Sequence, residues 1–404
     1  FVEELDFRND KPVTFFGFPA FPDGIQPIAQ PKDIRVLTQE LRYTSPDDRR
    51  LRWTVGAFVQ DSENIRVDDF GPLLFGAEAP RHDTDSTQVA LFGQASFDVT
   101  QTLELTVALR YDRDERDVAV TGNVSGAAIE QRSETFDKLQ PKVSLAWQAT
   151  PDHLVYATFS EGFKTGGFNP PPGPGDVHEL VYRPEQTQAW EAGVKTVWLN
   201  GQLVLNAAGF YTKYQNFQYF AFINGLDLAL NVDKVDVWGL EVSGAARPVD
   251  GFTLDWGFGY TDSEIDAFTA PNPVTLVPTD YAGNKTPNNP KYTLNIGAEY
   301  ALGVGDGAML RLRGDYLRVG TIYYEIDNVL HSPARDSVDA RLSYERDNWS
   351  ITVWAKNLTD ERWAISAFGQ GQVGLLTGLG PGGPFDSFTI NRGRRWGAEI
   401  SARF

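Results

Sequence analysis

Cysteine is absent from the 404 residues, and with it go disulfide frameworks, thiolate metal sites and cysteine nucleophiles. Histidine occurs four times, at His82, His153, His178 and His331, each without a second ligand at metal spacing, so no metal site is expected. Basic residues number 36 against 54 acidic ones, a net charge of −18, which argues against nucleic acid as a partner because phosphate backbones need clustered cations. No apolar run approaches the about 20 residues that a membrane helix requires. The glycines of Gly371 to Gly383 lack a Lys-Ser/Thr pair and a following helical pattern, so they are read as an extracellular loop that moves over a ligand rather than as a phosphate cradle. Acidic pairs are abundant but sit in solvated loops or among other charges, and nothing assembles a catalytic group; the chain is not expected to be an enzyme.

What the chain has is glycine, 38 residues of it, and 13% aromatics, a composition suited to strands and to interfacial girdles. The last strand sets the pattern. Trp396, Ala398, Ile400, Ala402 and Phe404 share one face, and Arg395, Gly397, Glu399, Ser401 and Arg403 the other. The same alternation recurs in pairs of runs: Ile34 to Tyr43 with Leu51 to Gln60, Gln88 to Asp98 with Leu103 to Arg113, and Leu139 to Gln148 with Leu154 to Phe163. It continues through Thr187 to Leu199 with Gln202 to Tyr214, Val235 to Arg247 with Phe252 to Ser263, Tyr292 to Leu302 with Met309 to Tyr324, and Ser337 to Arg346 with Trp349 to Asn357. The last strand brings the count to fifteen, and Phe1 to Arg8 reads as the end of a sixteenth.

A strand this polar on one side is not buried on both faces. Either it belongs to a soluble sandwich, or its apolar face meets lipid and its charged face lines a wet interior. Connections decide between them. Asn200-Gly201 and Thr150-Pro151-Asp152 are tight turns, whereas Asp61 to Thr87, Asp114 to Lys138 and Glu264 to Thr286 read as long loops. Short turns at one end and long loops at the other describe an antiparallel up-and-down transmembrane β-barrel. Trp396 and the terminal Phe404 fit the end that outer-membrane barrels present to the barrel assembly machinery. Trp256, Leu254, Ile400 and Leu342 are expected in an outward belt. Arg311, Arg313, Arg341, Arg395 and Arg403 are expected inside, paired with Glu299, Asp339, Glu345 or Glu399, because a charge facing mid-bilayer lipid costs about 2–4 kcal/mol.

Three stretches carry a family likeness: Ser160-Glu161-Gly162-Phe163-Lys164-Thr165-Gly166-Gly167-Phe168-Asn169; Asn357-Leu358-Thr359-Asp360-Glu361-Arg362-Trp363; and Thr38-Gln39-Glu40-Leu41-Arg42. With the closing aromatic strand, they resemble TonB-dependent outer-membrane receptors, in that family's order and over most of the chain. The resemblance implies a barrel of about 22 strands around an N-terminal plug. It also implies a Gram-negative outer-membrane location, with lipid around the barrel. The function it implies is import of ferric siderophores, cobalamin, haem or glycans, energised by the TonB complex, with siderophores foremost.

Residues 1–404 are expected to be one N-terminally incomplete barrel domain, without the family's plug and TonB-contact segment and lacking roughly six strands of the family barrel. Such a chain alone is not expected to perform TonB-coupled uptake. Trp363, Phe368 and Phe385 are candidate ligand contacts, suited to a siderophore or a sugar ring. No cofactor is expected. The alternative from a different class is a passive, porin-like channel of sixteen strands.

Overall fold

A computed structural model describes residues 14–15, 18–19, 31–68, 79–171, 179–223, 226–272, 277–305, 307–369 and 386–403. Phe1 to Arg8, His178, Gly371 to Gly383, Phe385 and Phe404 lie outside the described residues.

Fifteen long strands form one antiparallel meander in chain order. They are β1 (Lys32–Thr44), β2 (Leu51–Val67), β3 (Pro80–Asp98), β4 (Leu103–Gly122) and β5 (Ala128–Thr150). Next come β6 (His153–Lys164), β7 (Glu185–Trp198), β8 (Leu203–Ile223), β9 (Leu226–Ala246) and β10 (Phe252–Ala267). The last five are β11 (Tyr292–Val304), β12 (Ala308–Val319), β13 (Arg335–Arg346), β14 (Trp349–Lys356) and β15 (Arg395–Ala402). Among the described residues β1 and β15 are the two edges of this sheet. All fifteen strands read from the alternation are present.

Register carries the alternation across the sheet. Leu105, Val107 and Leu109 oppose Leu145, Val143 and Pro141 on one side and Phe97, Ala95 and Gly93 on the other. This apolar face is the exposed one: Leu91 is 61% exposed and Leu109 48%. Aromatic rows bound it. Phe159, Trp190, Tyr211 and Trp238 are successive cross-strand neighbours at the loop end, with Trp190 and Tyr211 stacked at 5.8 Å. Trp53, Trp147, Trp198, Tyr300 and Trp349 lie toward the turn end. Trp190 and Trp198 are eight residues apart on one face. At about 3.4 Å per residue and a tilt of about 40°, that is roughly 20 Å of depth, a hydrocarbon band with amphipathic rings at its borders. Leu342 and Ile400 are exposed in this band, and Leu254 and Trp256 lie half-buried on the same face, the Trp256 ring covering Gly244.

The opposite face holds the charges. Arg311 pairs with Glu299 at 3.3 Å and Glu345 at 3.2 Å, and Arg341 reaches Glu299 at 3.6 Å. Arg313 instead takes Asp255 at 2.8 Å and Asp315 at 2.6 Å. For Arg395 and Arg403 the expected pairing does not form among the described residues, and Arg403 lies just past the end of β15. Asp339 accepts the Asn357 N–H, so it serves a turn rather than an arginine.

Two of the expected long loops are largely strand. β2 runs to Val67 and β3 starts at Pro80, so most of Asp61 to Thr87 is paired ladder. Asp114 to Lys138 is a continuous hairpin closed only at 123–127. The segment between Tyr214 and Val235 is likewise paired, with a break in register at Asn216. Past the aromatic row the outer face no longer meets lipid but water, so the apolar alternation stops while the hydrogen-bonded ladder continues. The periodic signal ends at the membrane border and the strand does not.

Beyond that border the chain builds an ordinary core. Val232, Val235, Ile265, Phe268, Tyr281 and Ile326 are buried together, drawn from β9, β10 and the connections that follow β10 and β12. Tyr324, Leu330 and Ala367 form a second cluster beside it. Side-chain amides fasten these connections: Asn284 donates to the Ile326 carbonyl at 2.9 Å, and Asn328 bonds both the N–H and the carbonyl of Lys285, at 2.6 and 2.9 Å.

Candidate functional site

The Ser160 to Asn169 motif leaves β6 and folds back over the charged face of the sheet. Asn169, 7% exposed, clamps it: the amide nitrogen donates to the carbonyls of Glu179 (2.8 Å) and Ala229 (3.0 Å), and the amide oxygen accepts from the Ala229 N–H (2.8 Å). Gln218 on β8 adds a bond to the Thr165 carbonyl at 2.7 Å. The backbone at Gly162, Gly166 and Gly167 stays out of the left-handed region, so these glycines do not serve a positive-φ bend. Their role is close approach: a Cβ at Gly166 would lie 2.5 Å from both the Phe136 ring and the Tyr182 carbonyl. Phe163 and Lys164 are the last residues of β6, and the Lys164 ammonium stands 5.2 Å from the Phe220 ring centre.

Under this turn lies a pocket of about 210 Å³ against β2 to β5. Val118, Val120, Phe168, Pro170 and Tyr182 supply apolar lining, and Arg66, Arg116, Arg132 and Glu130 supply charge. Arg66 and His82 both reach the buried Asp68, His82 at 3.1 Å. Arg116 pairs with Asp114 at 2.9 Å, and Ser86 donates to the same carboxylate at 2.7 Å. Burial pushes the Tyr182 phenol above its ordinary range, with nearby Arg116 opposing the shift.

A row further toward the belt, Asp112, 3% exposed, accepts from Arg110, Gln88 and Gln140. A buried carboxylate with three donors is satisfied, and it ties β3, β4 and β5 together.

The Asn357 to Trp363 motif is a second clamp, at the loop ends of β13, β14 and β15. Asn357 and Asp360 both adopt positive φ, 51° and 53°. The Asn357 side chain bonds the Glu361 N–H at 3.0 Å and its carbonyl at 2.9 Å, and the Leu358 N–H donates to the Val338 carbonyl. Asp360 accepts the Arg394 N–H at 2.7 Å, which holds its carboxyl below the usual range and fixes the entry to β15. Trp363 lies half-buried under the Arg335 guanidinium, 5.3 Å away, and its backbone N–H donates to Asn391 Oδ1. Phe368 ends a short strand that pairs with Ser387.

The two motifs are thus seated at the loop end as fastenings, on opposite stretches of the sheet. Trp396 is on the exposed apolar face of β15. Sequence reasoning missed Asp114, Arg116 and Arg132, which read as solvated loop charges, and gave Asp112 no role beyond its place in the run Leu103 to Arg113. Their even-numbered spacing on paired runs was the available signal.

A family model described as TonB dependent receptor-like, beta-barrel, matches residues 6–358. The pesticin receptor of Yersinia enterocolitica is 24% identical over 371 residues, covering 89% of this chain and 53% of that protein. A probable TonB-dependent siderophore receptor, PiuA of Acinetobacter baumannii, is 25% identical over 297 residues, 70% of this chain and 38% of that one. In fold, the ferric yersiniabactin uptake receptor FyuA of Yersinia pestis superposes with a TM-score of 0.78 at 21% identity, covering 96% of this chain and 56% of the other. The chain therefore spans about half the length of the proteins it matches. The exposed apolar belt, the charged inner face and the matched barrel are those of a Gram-negative outer-membrane protein. The chain belongs to the TonB dependent receptor-like β-barrel family.

Proposed function

We propose that this barrel serves an outer-membrane receptor that takes up a scarce, large nutrient, foremost a ferric siderophore, with energy relayed by the TonB complex. The observation that carries this reading is the family match over 6–358, joined to relatives named as receptors for pesticin and for a siderophore. The structure beyond the belt supports it: a buried apolar core and amide clamps hold a defined surface there. Trp363, Phe368 and Phe385 are our candidate ligand contacts; Phe404 and Trp396 are our candidates for the end read by the barrel assembly machinery. Family membership points to transport rather than catalysis.

The test uses the full-length protein that carries this chain, expressed in Gram-negative cells stripped of their own siderophore receptors. Uptake of a panel of ferric siderophores is followed with and without a working TonB system. Saturable uptake that stops when TonB is removed is the expected result. Non-saturable permeation of small solutes, indifferent to TonB, would establish the porin-like alternative instead.

A further inference from the structure

We propose that the pocket beneath the Gly166 to Pro170 turn is a binding site for a small organic carboxylate with an apolar body, about one ring in size. The lining carries three guanidiniums, those of Arg66, Arg116 and Arg132, against one carboxylate, Glu130. The balancing carboxylates Asp68 and Asp114 are not in the lining; they stand behind Arg66 and Arg116, buried, and hold those guanidiniums in place. Such preorganised guanidiniums suit a planar carboxylate.

The Nε atoms of Arg66 and Arg132 are buried 2.9 Å from Asp68 Oδ1 and 3.1 Å from Glu130 Oε1, ion pairs whose angles are poor for a hydrogen bond. The floor is different in kind: Val118 and Val120 are 6% and 3% exposed. Bare phosphate or sulfate would leave that apolar floor unmatched. Size excludes a whole siderophore. At about 30 Å³ per water the space holds roughly seven waters, below the about 300 Å³ at which pockets for complete drug-sized ligands begin. The occupant is a free acid or one anionic arm of a larger ligand, and the second source rests on the receptor reading above.

Benzoate is the probe, titrated calorimetrically onto the full-length protein in detergent, with methyl benzoate and inorganic phosphate as comparisons. Benzoate is expected to bind saturably, methyl benzoate not measurably, and phosphate at least about tenfold more weakly than benzoate. Arg132→Gln is expected to weaken benzoate about tenfold or more, and Arg132→Lys to recover part of the loss. No saturable benzoate binding to the unaltered protein overturns the site without need of any variant. Equal binding of benzoate and its methyl ester, or of phosphate, overturns it too, as does unchanged affinity in Arg132→Gln. Excess benzoate that slows uptake of the ferric ligand assigns the pocket to an arm of that ligand; binding without competition assigns it to a free acid, and both support the site. A failed pocket with intact TonB-dependent uptake leaves the receptor reading standing.

Discussion

The belt and the cap beyond it obey opposite rules within one continuous sheet. In the belt, leucines such as Leu91 and Leu109 are exposed while Asp255, Arg313 and Glu299 pair on the other face. In the cap, Val232, Val235 and Ile265 have at most 1% of their surface exposed, and carboxylates such as Asp83 and Glu115 face outward. The backbone ladder is common to both. The surroundings differ: lipid rewards apolar groups on the outside, and water drives them in. A single strand such as β9 crosses from one regime to the other, with Trp238 in the aromatic row that marks the border.

That contrast can be broken most forcefully from the cap side. Ile265→Ala empties a fully buried site and should cost about 2–5 kcal/mol. The loss should be local. Hydrogen exchange, read by mass spectrometry on the full-length protein, should accelerate over 226–237 and 277–291 while the belt segments of β3 to β6 stay protected. Equal acceleration in both would mean that cap and belt are one cooperative unit.

The belt side answers to charge. Val107→Arg, mid-band on the outer face, should destabilise the barrel by about 2–4 kcal/mol in lipid vesicles, whereas Thr87→Arg, exposed on the same face in the cap, should change stability by about 0.5 kcal/mol or less. Denaturant titration of vesicle-folded protein gives both values. Similar penalties at the two positions would place the membrane border in the wrong row.

A smaller effect sharpens the role of the motif. Asn169→Ala removes three buried side-chain hydrogen bonds and leaves the Ala229 N–H and the Glu179 carbonyl without that partner. About 1–3 kcal/mol of local stability should go, with faster exchange over 165–171 and no change in the belt. Unchanged exchange there would show that Gln218 and the glycine contacts suffice.

How much was legible follows the same border. Fifteen strands and their inward and outward parity could be read because lipid imposes period two on every crossing. The upper halves of β3, β4 and β5 could not, since residues such as Asp114, Glu115, Arg116 and Asp117 put charge on both faces. Asn169 and Asn357 were visible as motif residues, yet their work as clamps depends on Ala229 and Asp339, which lie 60 and 18 positions away along the chain. The pocket was invisible for the same reason. Its walls come from four strands and a turn that only register brings together.

The finest probe of the cap is its response to pH at Glu325. This carboxyl is buried, 7% exposed, accepts the Gly369 N–H at 2.9 Å, and sits at the edge of the Tyr324, Leu330 and Ala367 cluster. Burial raises its pKa above the ordinary carboxylate value, the Gly369 N–H opposes that, and Asp327 and Asp386 add to it. With the folded value above the unfolded one, the folded state binds more protons than the unfolded state between the two. Its stability therefore falls as pH rises through that interval, starting near the ordinary value of about 4.5 and complete above the raised one. Exchange over 322–330, corrected for the intrinsic pH dependence, should show stronger protection at about pH 5 than at about pH 8. Glu325→Gln keeps the shape, cannot ionise, and should flatten the dependence; a slope that survives in this variant would assign it to another group in the cap.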